Sequence, residues 1–359
     1  MNRKYLIYGA IVAIIAILAI VIAVFVIPHE QTRPVVYVIY PSDKGDLSYT
    51  DSAYRGLFAA QEVMQFTKRE YIPSGSLDFS RMLKETGAEK PGFIITFGYY
   101  QADFTRQLAQ EHPDIRFLAI DQTGIGAHNV RAYEITSYGE SYLAGVLAAS
   151  ATKSGRVGII LGTQSTLLEA FRSGYIDGVH AVSPTISVEQ AYVQDNSATG
   201  FNDPIRAAEI TGGMYNNGTD VVYAIAGYSN LGAIREAKKA PGRYIIGVDS
   251  DQTYLGPRVV MASAVKRVDR VVYNGISEYL NGSFTGGEQV AGLKEGVTGL
   301  SFNPKFENYN STVKAWEATA PHFAIPQEKY HLIISFNQKV QLIQITNIFS
   351  CPKRRQKRT

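Results

Sequence analysis

Apolar and polar positions along this chain fall into two alternating patterns. Short runs rich in β-branched and aromatic residues occur at Val35–Tyr40, Phe93–Phe97, Arg116–Ile120, Val157–Leu161, Ser187–Tyr192, Val221–Ile225 and Tyr244–Val248. Each has the length and composition of a buried strand. Between them, apolar residues at helical spacing predict helices over Thr50–Phe66, Tyr100–Glu111, Gly139–Thr152, Thr166–Val182, Pro204–Asn216, Asn230–Lys239 and Val265–Tyr279. Strand followed by helix, repeated, implies parallel sheets covered on both faces, the α/β class.

Two Rossmann-like lobes accommodate the repeats. Lobe 1 takes residues 34–132 plus about 259–290, and lobe 2 about 133–258 plus 291–320, so the chain passes between them several times. Val259–Leu300 is expected to cross back to the first sheet and to return with Gly296–Leu300. Several crossings make a hinge with a ligand cleft between the lobes.

A different pattern opens the chain. Tyr5–Ile27 runs for 23 residues without a charged side chain, enough to cross roughly 30 Å of hydrocarbon as a helix. Arg3 and Lys4 precede it, so the positive-inside tendency places everything after Pro28 on the far side of the membrane. A cleaved signal peptide is the rival reading. The apolar run exceeds a usual signal core and no A-x-A site precedes His29 or Gln31, which favours a retained anchor over 1–33.

The single cysteine, Cys351, excludes an internal disulfide and lies far from the place a lipid anchor would need. The formal net charge of +3 owes much to Lys353–Arg358, so the folded part is near neutral and composition gives no case for a nucleic-acid partner. Residues 321–359 are read as a C-terminal extension with a disordered basic tail.

Ligands of open parallel sheets bind outside the carboxyl ends of the strands, and there the motifs cluster. Asp46-Leu47-Ser48-Tyr49-Thr50 is followed by Tyr54-Arg55-Gly56, and Phe117–Asp121 by Ser141-Tyr142-Leu143-Ala144-Gly145. Phe201–Pro204, Ala226–Ser229, Gly247–Gln252 and Ala262–Lys266 come next. In this order they resemble the basic membrane protein family, the purine-nucleoside receptors of ABC transporters, over about residues 34–315. The resemblance implies a type I periplasmic-binding-protein-like fold, a small-molecule ligand, and permease and ATPase partners.

By position, the resemblance puts base-stacking rings at Tyr54 and Phe201, and polar contacts at Asp46, Asp121, Asp249 and Lys266. Stacking selects a flat ring with little preference among bases, so hydrogen bonds must choose base and sugar. Asp249 suits two ribose hydroxyls, since a carboxylate accepts on both oxygens. Gly98 and Gly227 let backbone amides approach a ligand, and Tyr99 and Tyr100 are candidates for the cleft rim. Two departures stand out: Thr50 replaces the family's asparagine, and Tyr228 adds bulk to a glycine-lined wall.

Plain structural roles compete with these assignments. Tyr54 on a helix can be a packing residue, Asp46 and Asp249 can cap helices, and Asp121 can bond the loop amides of Gly124–Gly126. Lys266 near a helix start opposes the helix dipole, which points to a specific partner. No G-x-S-x-G, H-E-x-x-H, paired Cys-x-x-Cys or G-x-G-x-x-G occurs. Neither an enzyme, a cofactor nor a metal site is therefore expected. The alternative to transport is a membrane-tethered nucleoside or sugar sensor built on the same fold.

Overall fold

The computed structural model describes residues 33–73, 77–87 and 89–319, together with isolated positions between 8 and 16. Apart from those isolated positions, the expected anchor lies outside the described residues, as does the C-terminal extension. Among the described residues, no helix is long and apolar enough to cross a membrane.

The chain enters β1 (Val35–Ile39) and turns at the Asp46 loop into α1 (Tyr49–Val63). It continues through β2 (Thr67–Tyr71), α2 (Phe79–Glu85), β3 (Phe93–Phe97), α3 (Ala102–Glu111), β4 (Arg116–Ile120) and β5 (Val130–Ile135). These strands pair in parallel in the order β2-β1-β3-β4-β5. β3 is buried along its whole length, as a parallel strand covered by helices on both faces must be.

After Ile135 the chain crosses to the second lobe. There it forms α4 (Tyr138–Ala151), β6 (Arg156–Leu161), α5 (Thr166–Val182), β7 (Ser187–Tyr192), α6 (Pro204–Asn216), β8 (Val221–Ile225), α7 (Asn230–Ala237), β9 (Tyr244–Asp249) and β10 (Val260–Lys266). Their order, β7-β6-β8-β9-β10, repeats that of the first sheet. The second crossing follows Lys266. α8 (Val268–Leu280) sends Val271, Val272 and Ile276 into the first lobe's core, and β11 (Gly287–Ala291) pairs with β5. The third crossing leads to β12 (Thr298–Phe302), antiparallel to β10, and to α9 (Asn310–Thr319).

All seven expected strands and all seven expected helices are present. The sequence pattern assigns residues from about 259 to the first lobe, whereas Val260–Lys266 is a strand of the second sheet. Its apolar Val260 and Ala262 are fully buried among second-lobe residues, so the crossing begins only after Lys266. The helix expected from Val265 accordingly begins at Val268.

Two motif glycines have a packing cause. A Cβ at Gly145 of α4 would overlap the Tyr175 carbonyl of α5, and one at Gly56 of α1 would overlap the Asp269 carbonyl of α8. Gly145 lets consecutive helices of the second lobe pack backbone-close, and Gly56 does the same for α1 and the distant α8.

Candidate functional site

A cavity of about 770 Å³ opens between the lobes at the carboxyl ends of β1, β3, β8, β9 and β10. Equivalent places in the two sheets build its walls alike. Gly98 after β3 and Gly227 after β8 have φ of 76° and 55°, a region glycine adopts at no steric cost. Each is followed by a wall tyrosine, Tyr99 or Tyr228. Behind each turn a side-chain amide oxygen accepts the strand-end amide: Gln101 from Phe97 N and Asn230 from Ala226 N, both at 3.0 Å.

The matched pair Asp121 and Asp249 follows the same rule. They stand at the ends of β4 and β9 with φ of 55° and 61°, a strained conformation that aspartate tolerates better than most residues. Their side chains do different work. Asp121 is 5% exposed; its Oδ2 accepts from Lys266 Nζ at 2.8 Å and from the Tyr49 hydroxyl at 2.8 Å, and its Oδ1 from Ile135 N at 3.1 Å. It lies beneath the cavity rather than in its wall. Burial, reinforced by the Asp121 carboxylate, raises Tyr49 well above the usual phenol value, so its hydroxyl stays a donor.

Asp249 lines the cavity, and its Oδ2 accepts from the Ser48 hydroxyl at 2.6 Å. Among the described residues its Oδ1 has no protein partner. Burial pushes this carboxyl up to about 6, against the pull of the Lys266 ammonium and the Ser48 hydroxyl.

The remaining predicted residues divide. Asp46, Gly98, Tyr99 and Phe201 line the cavity, as do Gly227, Tyr228 and Lys266. Asp46 nevertheless spends both oxygens on the start of α1, accepting from Ser48 N, Thr50 N and Asp51 N at 2.8 to 3.0 Å. The Phe201 ring lies so close to Gly162 that a Cβ there would overlap it, which fixes the ring's back face and leaves the other toward the cleft.

Thr50 and Tyr54 are not in the wall. Thr50 is fully buried with its hydroxyl 2.8 Å from that of Ser42. Tyr54 packs into the first lobe, with the Lys44 ammonium 4.3 Å from its ring centre. α1 turns its Tyr49 side to the cleft, and Tyr54, five residues on, points elsewhere.

Sequence reasoning missed Ser48, Tyr49 and Phe171. The first two sit inside the Asp46–Thr50 motif, where an aromatic in the fourth place was the available signal. Phe171 carries no such mark: it reads as one more apolar residue of α5. Among the described residues no cluster of His, Cys, Asp and Glu suits a metal ion.

A family model described as ABC transporter substrate-binding protein PnrA-like matches residues 33–327. The chain belongs to this family, Bmp. Among curated Bmp relatives, basic membrane protein A2 of Borrelia garinii is 30% identical over 84% of this chain and 92% of its own length. The ABC transporter nucleoside-binding protein BmpA of Lactococcus lactis is 32% identical over 75% of this chain and 80% of its own. An ABC transporter solute-binding protein of Aeropyrum pernix, solved by crystallography, superposes with a TM-score of 0.68 at 25% identity, covering 86% of each chain. Bmp proteins are substrate-binding proteins of ABC transporters, and this chain is a solute-binding protein of that kind.

Proposed function

We propose that this receptor captures a purine nucleoside outside the cytoplasm and delivers it to an ABC permease and its ATPase, held at the membrane by Tyr5–Ile27. The observation that carries the ligand class is the Asp249 carboxylate, which lines the cavity beside an aromatic wall with its Oδ1 unpaired among the described residues. A neutral ligand with a flat ring and vicinal hydroxyls suits such a floor, because two hydroxyl donors satisfy one carboxylate.

Stacking falls to Phe201 from the second lobe, with Tyr49, Tyr99 and Tyr100 supplying the first lobe's rings. Tyr228 adds a further ring on the second lobe. Both cations of the wall are committed, Lys266 to Asp121 and Lys44 to Glu70. Phosphate would bring two negative charges without an available partner, so nucleosides are favoured over nucleotides. The nucleoside-binding relative from Lactococcus lactis supports the same class.

Mass spectrometry of small molecules released from the purified, denatured chain tests the reading. A purine nucleoside mass supports it, and a hexose or an amino acid in its place overturns it.

A further inference from the structure

Glu140 is fully buried, and among the described residues neither of its carboxyl oxygens makes a hydrogen bond of good geometry, although the hydroxyls of Ser137 and Thr298 stand close by. Neither the fold nor the cleft contacts described above account for it, and a buried carboxyl left unpaired is costly. Its position is unusual. It is the third residue of α4, just after the first crossing between lobes. Ser137 of that same crossing and Thr298 after the third crossing bring hydroxyls near enough to favour its charged form, and Lys266 at the second crossing is its nearby cation. Groups from all three crossings thus act on one carboxyl.

Lys266 is a shared resource. It is 2% exposed, donates to Asp121 at 2.8 Å, lines the ligand cavity and acts on Asp249 through space. Carboxyls from α4, β4 and β9 therefore converge on one ammonium. Tyr223 of β8 also faces Glu140, and Tyr49 of α1 faces Asp121 and Asp249. One positive charge cannot offset three negative ones in a low-dielectric junction, and burial pushes Glu140 and Asp249 toward their protonated forms.

We infer that Glu140 is a positioning residue for the ligand cleft, acting through Lys266: uncharged, it leaves the ammonium to Asp121 and the cleft floor; charged, it draws the ammonium toward the hinge. Burial pushes Glu140 up to about 7, against its own backbone amide and the Lys266 ammonium, while Asp249 sits at about 6. Affinity should then be highest in the interval between them. It falls in acid as Asp249 is protonated and falls in alkali as Glu140 ionises, a bell with two limbs.

This readout rests on the nucleoside reading, so the test has two arms on the full chain. In the first, guanosine is titrated calorimetrically from about pH 5 to about pH 8.5. The wild type should lose roughly tenfold in affinity between about pH 6.5 and about pH 8.5, and Glu140→Gln should lose less than about threefold while keeping the acid limb. An alkaline limb unchanged in Glu140→Gln, or a uniform weakening at every pH, makes Glu140 merely structural and overturns the inference.

The second arm needs no ligand. In isotope-labelled chain, the Lys266 ammonium resonance should move in a step as Glu140 ionises near about 7, and the step should vanish in Glu140→Gln. A step that survives the substitution overturns the inference. Absence of guanosine binding at any pH counts against the nucleoside reading alone, and the resonance then decides on Glu140.

Discussion

The Lys266 ammonium and the Asp121 carboxylate form a 2.8 Å ion pair between residues that end strands of different sheets. Both are almost wholly buried. The pair therefore ties the lobes together beneath the cleft, and its partners cannot fall back on water if one is removed.

Lys266→Met and Asp121→Asn should each cost about 3–5 kcal/mol of stability, the usual result of stranding one half of a buried pair. The double variant should cost less than the sum, because neither charge is then left alone. Denaturant unfolding of the four chains measures both quantities.

Phe201 and Tyr54 should behave differently although the resemblance pairs them. Phe201→Ala removes a cavity ring and should weaken nucleoside binding by about 1–3 kcal/mol, roughly fivefold to 150-fold in Kd. Tyr54→Ala, outside the wall, should stay within about threefold. Equal losses at both positions would mean that a ligand reaches Tyr54.

Stability should fall as pH rises toward 7. Burial sets Glu140 at about 7 in the folded chain, above its ordinary 4.5, so between those values the folded state holds a proton that the unfolded state has lost. By linkage, stability is fullest below the lower value and declines up to the higher one, by on the order of 3 kcal/mol for this fully buried group. Asp249, raised to about 6, acts in the same direction. Thermal midpoints of wild type and Glu140→Gln across pH check this, with the variant showing the shallower decline.

Gly145→Ala and Gly56→Ala should each destabilise the fold by about 1–3 kcal/mol, since the added methyl meets a neighbouring helix's carbonyl rather than open space. Gly213→Ala, on an open stretch of α6 with nothing nearby, should be neutral or slightly stabilising. Unfolding midpoints of the three variants decide.

The fold was readable wherever burial made the pattern strong. β1, β3, β4, β6, β8 and β9 are apolar on both faces, and so they stand out as runs. β2 reads Thr67-Lys68-Arg69-Glu70-Tyr71 and β11 reads Gly287-Glu288-Gln289-Val290-Ala291; both are edge strands with exposed or half-exposed side chains. Nothing local distinguishes such segments from loop. β10 was missed for another reason: Ala262-Ser263-Ala264 is small and neutral, and only its place between β9 and β12 makes it a strand.

The site was legible as a set of motifs but not as a division of labour. Asp121 and Asp249 look alike in sequence, both closing an apolar strand, yet one holds Lys266 and the other keeps an oxygen toward the cavity. Which face of α1 meets the cleft depends on how that helix sits against α8, so Tyr49 and Tyr54 could not be told apart beforehand. Glu140 sits one residue before the Ser141–Gly145 motif, and only the meeting of three crossings gives it meaning.

Calorimetric titration of the full chain with adenosine, guanosine, inosine and free ribose tests the central claim most directly. The account predicts saturable binding of at least one purine nucleoside with Kd below about 100 μM, that is more than about 5 kcal/mol of binding free energy, much weakened in Asp249→Asn, and no comparable heat from ribose. Ribose binding without any nucleoside binding, or nucleoside binding indifferent to Asp249→Asn, would contradict it.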